Sequence, residues 1–333
     1  MSKKLFGTCP KGEIYAYTIR NAAGMEATIL NYGGALQSLK VPANGGLVDV
    51  ALGYDNAEDY LNNKMYFGAI VGRNSNRASC EPFTIGDKTV VLSDTHGGKQ
   101  LHGGKVGFSH KLWDAEDLGN ALVLTCFSAD GEEGFPGNVT TKVTYTVTEE
   151  NELRIEYEAM PDQDTVINLT NHAYFNLNGG GSILEHTLQV DSEAYTAQDE
   201  HGLSTGELVP VAGTVYDFRE PRKIGEGIGD AAEGKLRFYD LNFCLKGEGL
   251  RKVAELKGEF LTMETLTTTP GVQFYAAGFG KPHPAKVEGG YTGYCFACLE
   301  TQGYPNSTHI KSFPSDIVKA GETYRQTTVY RFK

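Results

Sequence analysis

The residues with the clearest chemical character stand at positions 168–177, with the sequence Asn-Leu-Thr-Asn-His-Ala-Tyr-Phe-Asn-Leu. With the two-residue period of a β-strand, the even-numbered positions carry neutral hydrogen-bonding side chains and one histidine, and the odd-numbered ones are apolar except for Asn171. Histidine exchanges a proton near neutral pH, so His172 is a candidate acid or base. The pattern predicts one wall of a cleft that binds a neutral, hydroxyl-rich ligand.

A second candidate is Glu300, which follows six apolar or aromatic residues at positions 294–299. A carboxyl group at the end of a buried strand loses solvation, and this loss raises its pKa and makes it a stronger base. A glutamate that reaches solvent from a strand end explains the same pattern equally well. The residues alone leave both interpretations open.

Shorter segments carry further polar groups, and each also has an ordinary structural explanation. His102 precedes two glycines, where a backbone can approach a ligand closely, but it could equally be a loop histidine with local hydrogen bonds. The segment 72–77 has two arginines, which suit sugar oxygens or carboxylates, yet a solvated loop with surface ion pairs is the simpler interpretation. Asp240 and Gln273 stand among apolar residues, as a turn aspartate and a hydrogen-bonded strand glutamine also would.

Several classes of site are excluded by spacing. The chain has no HExxH, GxSxG or GxxxxGK[ST] motif, and the glycines at 225–229 lack the strand–helix unit of a dinucleotide site. His96 and His102 have no carboxylate partner at metal-ligand spacing. Cys295 and Cys298 form an isolated CxxC pair that would point to opposite faces of a strand. We therefore expect six free thiols and no metal or redox centre.

Composition limits the partners of the chain. Its 333 residues carry a formal net charge of -12, so an acidic surface would repel nucleic acid. The sequence has no apolar run of membrane-spanning length and no apolar segment behind Lys3 and Lys4 that would make a signal peptide. We expect a cytoplasmic protein that binds neither membranes nor nucleic acids.

The elements that must position these residues are mostly strands. Alternating segments at 143–147, 153–159 and 327–332 are separated by turn signals such as Asp130-Gly131 and Pro270-Gly271. Helices are predicted only at 56–61, capped by Asp55 or Asn56, and at 231–233. Many short strands without alternating helices predict an all-β fold, a large antiparallel β-sandwich with a single domain over residues 1–333.

Taken in order, these fragments resemble the aldose 1-epimerase (galactose mutarotase) family over nearly the whole chain. The fragments that carry the resemblance are Leu52-Gly53-Tyr54, Tyr66-Phe67-Gly68-Ala69, Gly72-Arg73, Asn76-Arg77, Leu101-His102-Gly103-Gly104, Gly107-Phe108, Trp113, the segments 130–137, 168–177 and 270–275, Leu299-Glu300-Thr301-Gln302 and Gly321-Glu322-Thr323-Tyr324. The resemblance implies a sugar cleft on one face of the sandwich, with His172 as general acid and Glu300 as general base. It further implies that sugar hydroxyls or the ring oxygen are contacted by Asn76, Arg77, His102, Tyr174, Asp240 and Gln273.

The implied reaction interconverts the α- and β-anomers of a hexose such as galactose or glucose, without metal or organic cofactor. Glu300 would be ionised and His172 protonated at rest. The chain departs from the family pattern at Leu241, where histidine is usual, and at Asn74 and Ser75, which could alter the cleft edge. A sugar-binding module without catalysis and an epimerase for a phosphorylated hexose are the alternatives. The preferred sugar and the choice between monomer and homodimer stay open.

Overall fold

The computed structural model describes residues 1–230 and 234–333, so the helix predicted at 231–233 lies outside the described residues. Strands dominate the described part of the chain, and they are numbered in chain order. They are β1 (Ser2–Cys9), β2 (Gly12–Arg20), β3 (Glu26–Leu30), β4 (Leu36–Ala43), β5 (Gly46–Asp49), β6 (Ile70–Val71), β7 (Arg77–Ser79), β8 (Phe83–Ile85), β9 (Lys88–Val90), β10 (Lys99–Leu101), β11 (Asp114–Asp117), β12 (Ala121–Ser128), β13 (Val139–Val147), β14 (Glu152–Pro161), β15 (Thr165–Val166), β16 (Thr170–Asn171), β17 (Thr187–Val190), β18 (Ser192–Gln198), β19 (Ser204–Pro210), β20 (Arg222–Lys223), β21 (Tyr239–Leu245), β22 (Arg251–Lys257), β23 (Thr262–Thr267), β24 (Gly271–His283), β25 (Tyr291–Gln302), β26 (Ile317–Val318) and β27 (Tyr324–Phe332).

Three antiparallel sheets contain most of these strands. An N-terminal sheet has the order β1-β2-β3-β4-β5, and the largest has the order β11-β12-β13-β14-β27-β23-β22-β17-β20. The third, which we call the catalytic sheet because it carries the candidate site, has the order β19-β18-β21-β24-β25. The predicted all-β antiparallel fold is confirmed.

The core forms where the three sheets pack against one another. One cluster of buried side chains includes Ile19 of the N-terminal sheet, Val143 of the largest sheet and Phe274 of the catalytic sheet. Strand β13 alternates between buried and exposed positions, as its period-2 sequence predicts. The segments predicted as strands at 143–147, 153–159 and 327–332 all lie within observed strands.

Helical structure is short. The predicted helix is observed as α1 (Ala57–Leu61), and the side chain of Asn56 caps it by accepting a 2.9 Å hydrogen bond from the Asp59 amide. Single 3₁₀ turns lie at Phe108–His110, Glu132–Gly134 and Ile224–Gly227. None of the helices among the described residues combines the length and apolar character that crossing a bilayer requires.

The segment 168–177 lies between sheets rather than as one long strand. Only its strand β16 pairs regularly, with β6. Phe175 then forms isolated bridges with Ala51 on one side and Ala297 of β25 on the other. The segment therefore connects the N-terminal part of the molecule to the catalytic sheet. In the sequence, His172 lies between the paired strand β16 and the bridges of Phe175.

Candidate active site

All eight predicted site residues line one cavity of about 270 Å³. They reach it from the catalytic sheet, from segment 168–177 and from the loops around Asn76 and His102. Six further residues complete the wall: Lys64, Met65, Tyr66, Leu101, Phe238 and Tyr275. A larger surface groove of about 980 Å³ contains none of the eight, and charged side chains in it, such as Arg219 and Asp217, form ion pairs. The chemistry predicted from the sequence therefore lies in the smaller cavity.

The register of the catalytic sheet brings the base and its neighbours to one face. Gln273 of β24 pairs directly with Glu300 of β25, and Asp240 of β21 pairs with Tyr275 of β24. The intervening residues Phe274 and Leu299 point the other way, into the core. Strand alternation thus gives this sheet an apolar face for packing and a polar face for the cavity.

His172 and Glu300 meet inside the cavity. The distance between His172 Nε2 and Glu300 Oε2 is 3.5 Å, and the two side chains are only 6% and 2% exposed. Neither His172 Nδ1 nor Glu300 Oε2 has a hydrogen-bond partner among the described residues. Buried polar atoms are nearly always paired, and these two atoms are available to hydrogen-bond a molecule in the cavity. The buried interpretation of Glu300 is the one observed.

Burial shifts the pKa of both members of this pair toward their neutral forms. Loss of solvation lowers the pKa of His172 to about 3. Burial, reinforced by the charge of Asp240 and opposed by Arg77, raises the pKa of Glu300 well above its usual 4.5. Loss of solvation therefore opposes the ion pair expected at rest. The protonation of the resting pair stays a prediction.

His102 is held as a neutral hydrogen-bond donor. Its Nδ1 accepts a 3.2 Å hydrogen bond from the Asn76 amide, so the ring proton lies on Nε2. Burial, followed by the neighbouring His172 and Arg77, lowers its pKa well below 6.5. The atoms that His102, His172 and Glu300 could offer to a metal lie within 4.8 Å of one another. A ligating histidine normally donates through its other nitrogen, whereas His102 accepts there, so this ring fits a sugar oxygen better than a metal.

A chain of polar contacts crosses the remaining wall of the cavity. Asp240 accepts from Arg77 Nη2 at 3.3 Å and from Gln273 Nε2 at 2.6 Å. Asn76 Oδ1 accepts a hydrogen bond from the Arg77 amide at 2.8 Å. The side-chain NH₂ of Asn76 has no hydrogen-bond partner among the described residues. Gln273 Oε1 is buried without a partner. The wall therefore offers a guanidinium, a carboxylate and two amides, which suits several hydroxyl groups at once.

Tyr174 contributes its ring rather than its hydroxyl. The hydroxyl donates a 2.6 Å hydrogen bond to the Met65 carbonyl, and the residue is 1% exposed. Its ring lies 4.9 Å from that of His172 with an angle of 10° between their planes. A sugar contact at Tyr174 stays a prediction, and the available group is an edge of the ring.

The other polar residues of segment 168–177 have structural roles. Of the predicted polar cleft wall, His172 and Tyr174 are the residues that line the cavity. Asn168 donates to Asp316 at 3.1 Å, and Asn176 donates to the carbonyls of Gly181 and Cys295. The intruding Asn171 donates to Gly68 and to Tyr145 inside the core. Period 2 identified a polar face, but the chain leaves regular strand geometry after Asn171.

Arg73 also differs from its simplest interpretation. It is 2% exposed, and its guanidinium donates to Ser128, Ala129, Pro136 and Thr165 instead of to surface acids. It does not line the cavity. Arg73 therefore holds loops behind the site together, while Arg77 reaches into the site.

The three departures from the family pattern lie outside the cavity wall. Leu241 pairs with Phe274 on the core side of β21, and Asn74 and Ser75 are buried beside Asn168. Asn74 and Ser75 do not line the cavity, and an effect of theirs on the cleft edge stays a prediction. Tyr66, which the sequence analysis named within a fragment of the family resemblance but not as a site residue, does line the cavity.

Comparison with known proteins identifies the family of this chain. The sequence model of the aldose 1-epimerase family matches residues 15–331. Galactose mutarotase from Bos taurus is 36% identical over 100% of this chain and 98% of its own, and aldose 1-epimerase from Escherichia coli K12 is 35% identical over 97% and 96%. The crystal structure of a GalM/aldose epimerase homologue from C. elegans superposes with a TM-score of 0.89 at 28% identity, covering 96% of this chain and 98% of that one. The chain belongs to the aldose 1-epimerase family.

Proposed function

We propose that this protein is a cofactor-independent aldose 1-epimerase that interconverts the α- and β-anomers of free hexoses, galactose or glucose among them. The observation that carries the proposal is the buried pair of His172 and Glu300, 3.5 Å apart and facing a cavity rich in hydroxyl-binding groups. A binding protein needs partners for hydroxyls but no matched acid and base. The names of the relatives, galactose mutarotase and aldose 1-epimerase, support the same substrate class.

Anomer exchange requires two coupled proton transfers. Glu300 accepts the proton of the C1 hydroxyl while His172 donates a proton to the ring oxygen, and the bond between C1 and that oxygen breaks. Rotation about the C1–C2 bond then turns the other face of the aldehyde toward the C5 hydroxyl. Closure reverses both transfers, so each group ends as it began.

The neutral forms of His172 and Glu300, which burial favours, occur together at one stage of this cycle. Ring opening converts a carboxylate and an imidazolium into a carboxyl and an imidazole, so the neutral pair is the form that accompanies the open aldehyde. The ionised pair contains the same number of protons, and one transfer between His172 Nε2 and Glu300 Oε2 interconverts the two forms. Sugar hydroxyls that hydrogen-bond to the charged forms would favour the ionised pair when the cyclic substrate binds.

The remaining groups suit distinct parts of the sugar. His102 is a neutral donor beside His172, with ring centroids 5.2 Å apart, and can hold an oxygen near the acid. Asp240 can accept from sugar hydroxyls while Arg77 and Gln273 hold its carboxylate in place. Asn76 presents an amide donor. The site suits a neutral substrate, because Asp240 balances the charge of Arg77.

Polarimetry on freshly dissolved α-galactose tests the function directly. The wild-type protein should accelerate the approach to anomeric equilibrium, and Glu300→Gln or His172→Gln should slow the catalysed rate by about 10²–10⁴-fold. The matched control is Glu264→Gln, which removes a buried carboxyl group distant from the cavity and should leave the rate unchanged. Near-wild-type rates in Glu300→Gln would overturn the assignment of the base. Stabilisation by galactose without any acceleration would identify a binding module instead.

We also propose that residues 1–333 form one domain, because one buried cluster contains Tyr17 near one end and Phe332 near the other. A cytoplasmic location is proposed on the state of the cysteines. All six are unpaired, which suits a reducing compartment.

A further inference from the structure

Tyr66 lies over the acid and the neighbouring donor of the candidate site. Its ring centroid is 6.0 Å from that of His172, with 10° between the planes, and 4.6 Å from that of His102. Tyr174 is parallel to His172 as well, at 4.9 Å. The imidazole of His172 therefore has two parallel tyrosine rings as neighbours, and of these only Tyr174 is fully buried.

The orientation of His172 depends on these rings because hydrogen bonds do not fix it. A catalytic histidine is commonly oriented by a hydrogen bond from its second ring nitrogen to a carbonyl or carboxylate. Here Nδ1 of His172 is buried without a partner of good geometry, and its only polar neighbour is the main chain of the same residue. Packing against aromatic neighbours is what remains to hold the ring plane.

The turn that carries Tyr66 is attached to the backbone of His172. The Gly68 amide donates to the His172 carbonyl at 2.9 Å, and the His172 amide donates to the Ala69 carbonyl at 2.9 Å. The Ala69 amide closes the turn by donating to the Tyr66 carbonyl. A Cβ atom at Gly68 would lie 2.1 Å from the Leu36 carbonyl oxygen, so the turn approaches its support as closely as glycine permits. Tyr66 and His172 are thus held as one unit.

Tyr66 occupies this place in a strained conformation. Its φ is +57°, one of seven positive values at non-glycine residues among the described part of the chain. Four of the others are asparagines, which tolerate left-handed backbone, whereas a bulky aromatic residue there is an outlier. Strain of this kind persists where a specific side-chain placement compensates for it, and the placement here is over His172.

We propose that Tyr66 is a positioning residue for anomer exchange, whose ring fixes the plane of His172 toward Glu300 and excludes water from the acid. The inference rests on the proposed role of His172 as the acid. Among the described residues the Tyr66 hydroxyl has no hydrogen-bond partner, so the ring alone accounts for the effect. The titratable groups that face His172 are His102, Glu300, Tyr66, Tyr174 and Tyr275, with Asp240 and Arg77 acting on Glu300.

The test compares Tyr66→Asn with Tyr66→Phe. Asparagine suits a positive φ, so this variant removes the ring without straining the turn, and circular dichroism and Tm should stay close to wild type. We expect kcat for α-galactose to fall by about 10–100-fold in Tyr66→Asn, with little change in KM, because the acid is misplaced. Tyr66→Phe restores the ring and should recover most of kcat.

The pH profile supplies a readout that a purely structural role would not move. Water admitted beside His172 should raise the pKa of this residue from about 3 toward 6.5. The limb of the kcat/KM pH profile that reports the protonation of His172 should therefore move to higher pH in Tyr66→Asn only. The inference is overturned if Tyr66→Asn changes KM alone, or if Tyr66→Phe is as impaired as Tyr66→Asn. A wild-type protein that does not accelerate mutarotation would instead overturn the proposed function, so the two failures are distinguishable.

Discussion

The cavity of the candidate site and the interior strand β23 of the largest sheet each bury a glutamate, and their surroundings shift its pKa in opposite directions. Glu264 of β23 is 6% exposed and lies 3.2 Å from Lys252, 3.4 Å from Arg331 and 2.7 Å from Lys333. Burial raises the pKa of Glu264, but these cations outweigh burial, and the net pKa is lowered. Glu300 is 2% exposed with no cation in contact, and its pKa is raised.

Asp316, near Asn168, falls between these two cases. Its carboxyl accepts from Ser307 at 2.6 Å and from Asn168 at 3.1 Å, both neutral donors. These donors offset burial only partly, and the pKa of Asp316 is about 7. The three carboxyls show that cations and neutral donors oppose the effect of desolvation on the pKa of an acid, and that cations do so more strongly. A carboxyl suited to proton transfer arises where cationic partners are absent.

The largest effect expected from this comparison is on the stability of Glu264→Gln. Removing the carboxylate leaves three cations without their common partner on β23. Because those cations are 36–59% exposed, water compensates for part of the loss, and we expect the free energy of unfolding to fall by about 1–2 kcal/mol. Urea denaturation measures it. An unchanged midpoint would show that the cations were already adequately solvated.

A smaller effect of opposite sign is expected for Glu300→Gln near pH 7. Folding desolvates the Glu300 carboxyl with no cation in contact, so a neutral amide of similar shape removes a cost of folding. We expect a gain in the free energy of unfolding on the order of 0.5–1 kcal/mol, together with the loss of activity described above. Thermal and urea unfolding of the two glutamine variants side by side measure the contrast. A clear loss of stability would mean that Glu300 has structural partners in solution.

Part of this comparison could be predicted from the sequence and part could not. Alternation and turn signals located the strands, and the apolar run before Glu300 indicated its burial. The same patterns could not distinguish Glu300 from Glu264. Lys252 lies on β22, Arg331 lies on β27 and Lys333 directly follows β27, and the register of the sheet brings them to Glu264. The opposite pKa shifts of Glu300 and Glu264 could not be predicted for the same reason, because they depend on which charges lie near each carboxyl in space.

Within the site, the sequence identified side chains but not their orientation. His172, Glu300 and the six binding candidates share one cavity, as their resemblance to a family of enzymes implied. Arg73 and Arg77 are of one type and four positions apart, yet one is a buried loop anchor and the other reaches the cavity. The positive φ of Tyr66 has no signal in residue type, because tyrosine rarely adopts it. Such conformations follow from the turn around Gly68 rather than from local propensity.

The smallest and most specific effect is the pH dependence of the two stability changes. The pKa of Glu300 is raised on folding, so its contribution to stability is fully present below about pH 4.5 and is lost as pH rises toward the folded pKa. The advantage of Glu300→Gln over wild type should therefore grow as pH rises above 4.5.

The pKa of Glu264 is lowered on folding, so its contribution is present above about pH 4.5 and is lost as pH falls through the folded pKa. The deficit of Glu264→Gln should therefore shrink toward acid pH, opposite to the trend for Glu300→Gln. His172, with its pKa lowered to about 3, destabilises the fold below pH 6.5 in every variant and largely cancels in the differences. Urea midpoints of the three proteins between about pH 4 and pH 8 measure both trends. Parallel curves would mean that neither glutamate changes its pKa on folding, and the contrast between the two regions would then lie in packing alone.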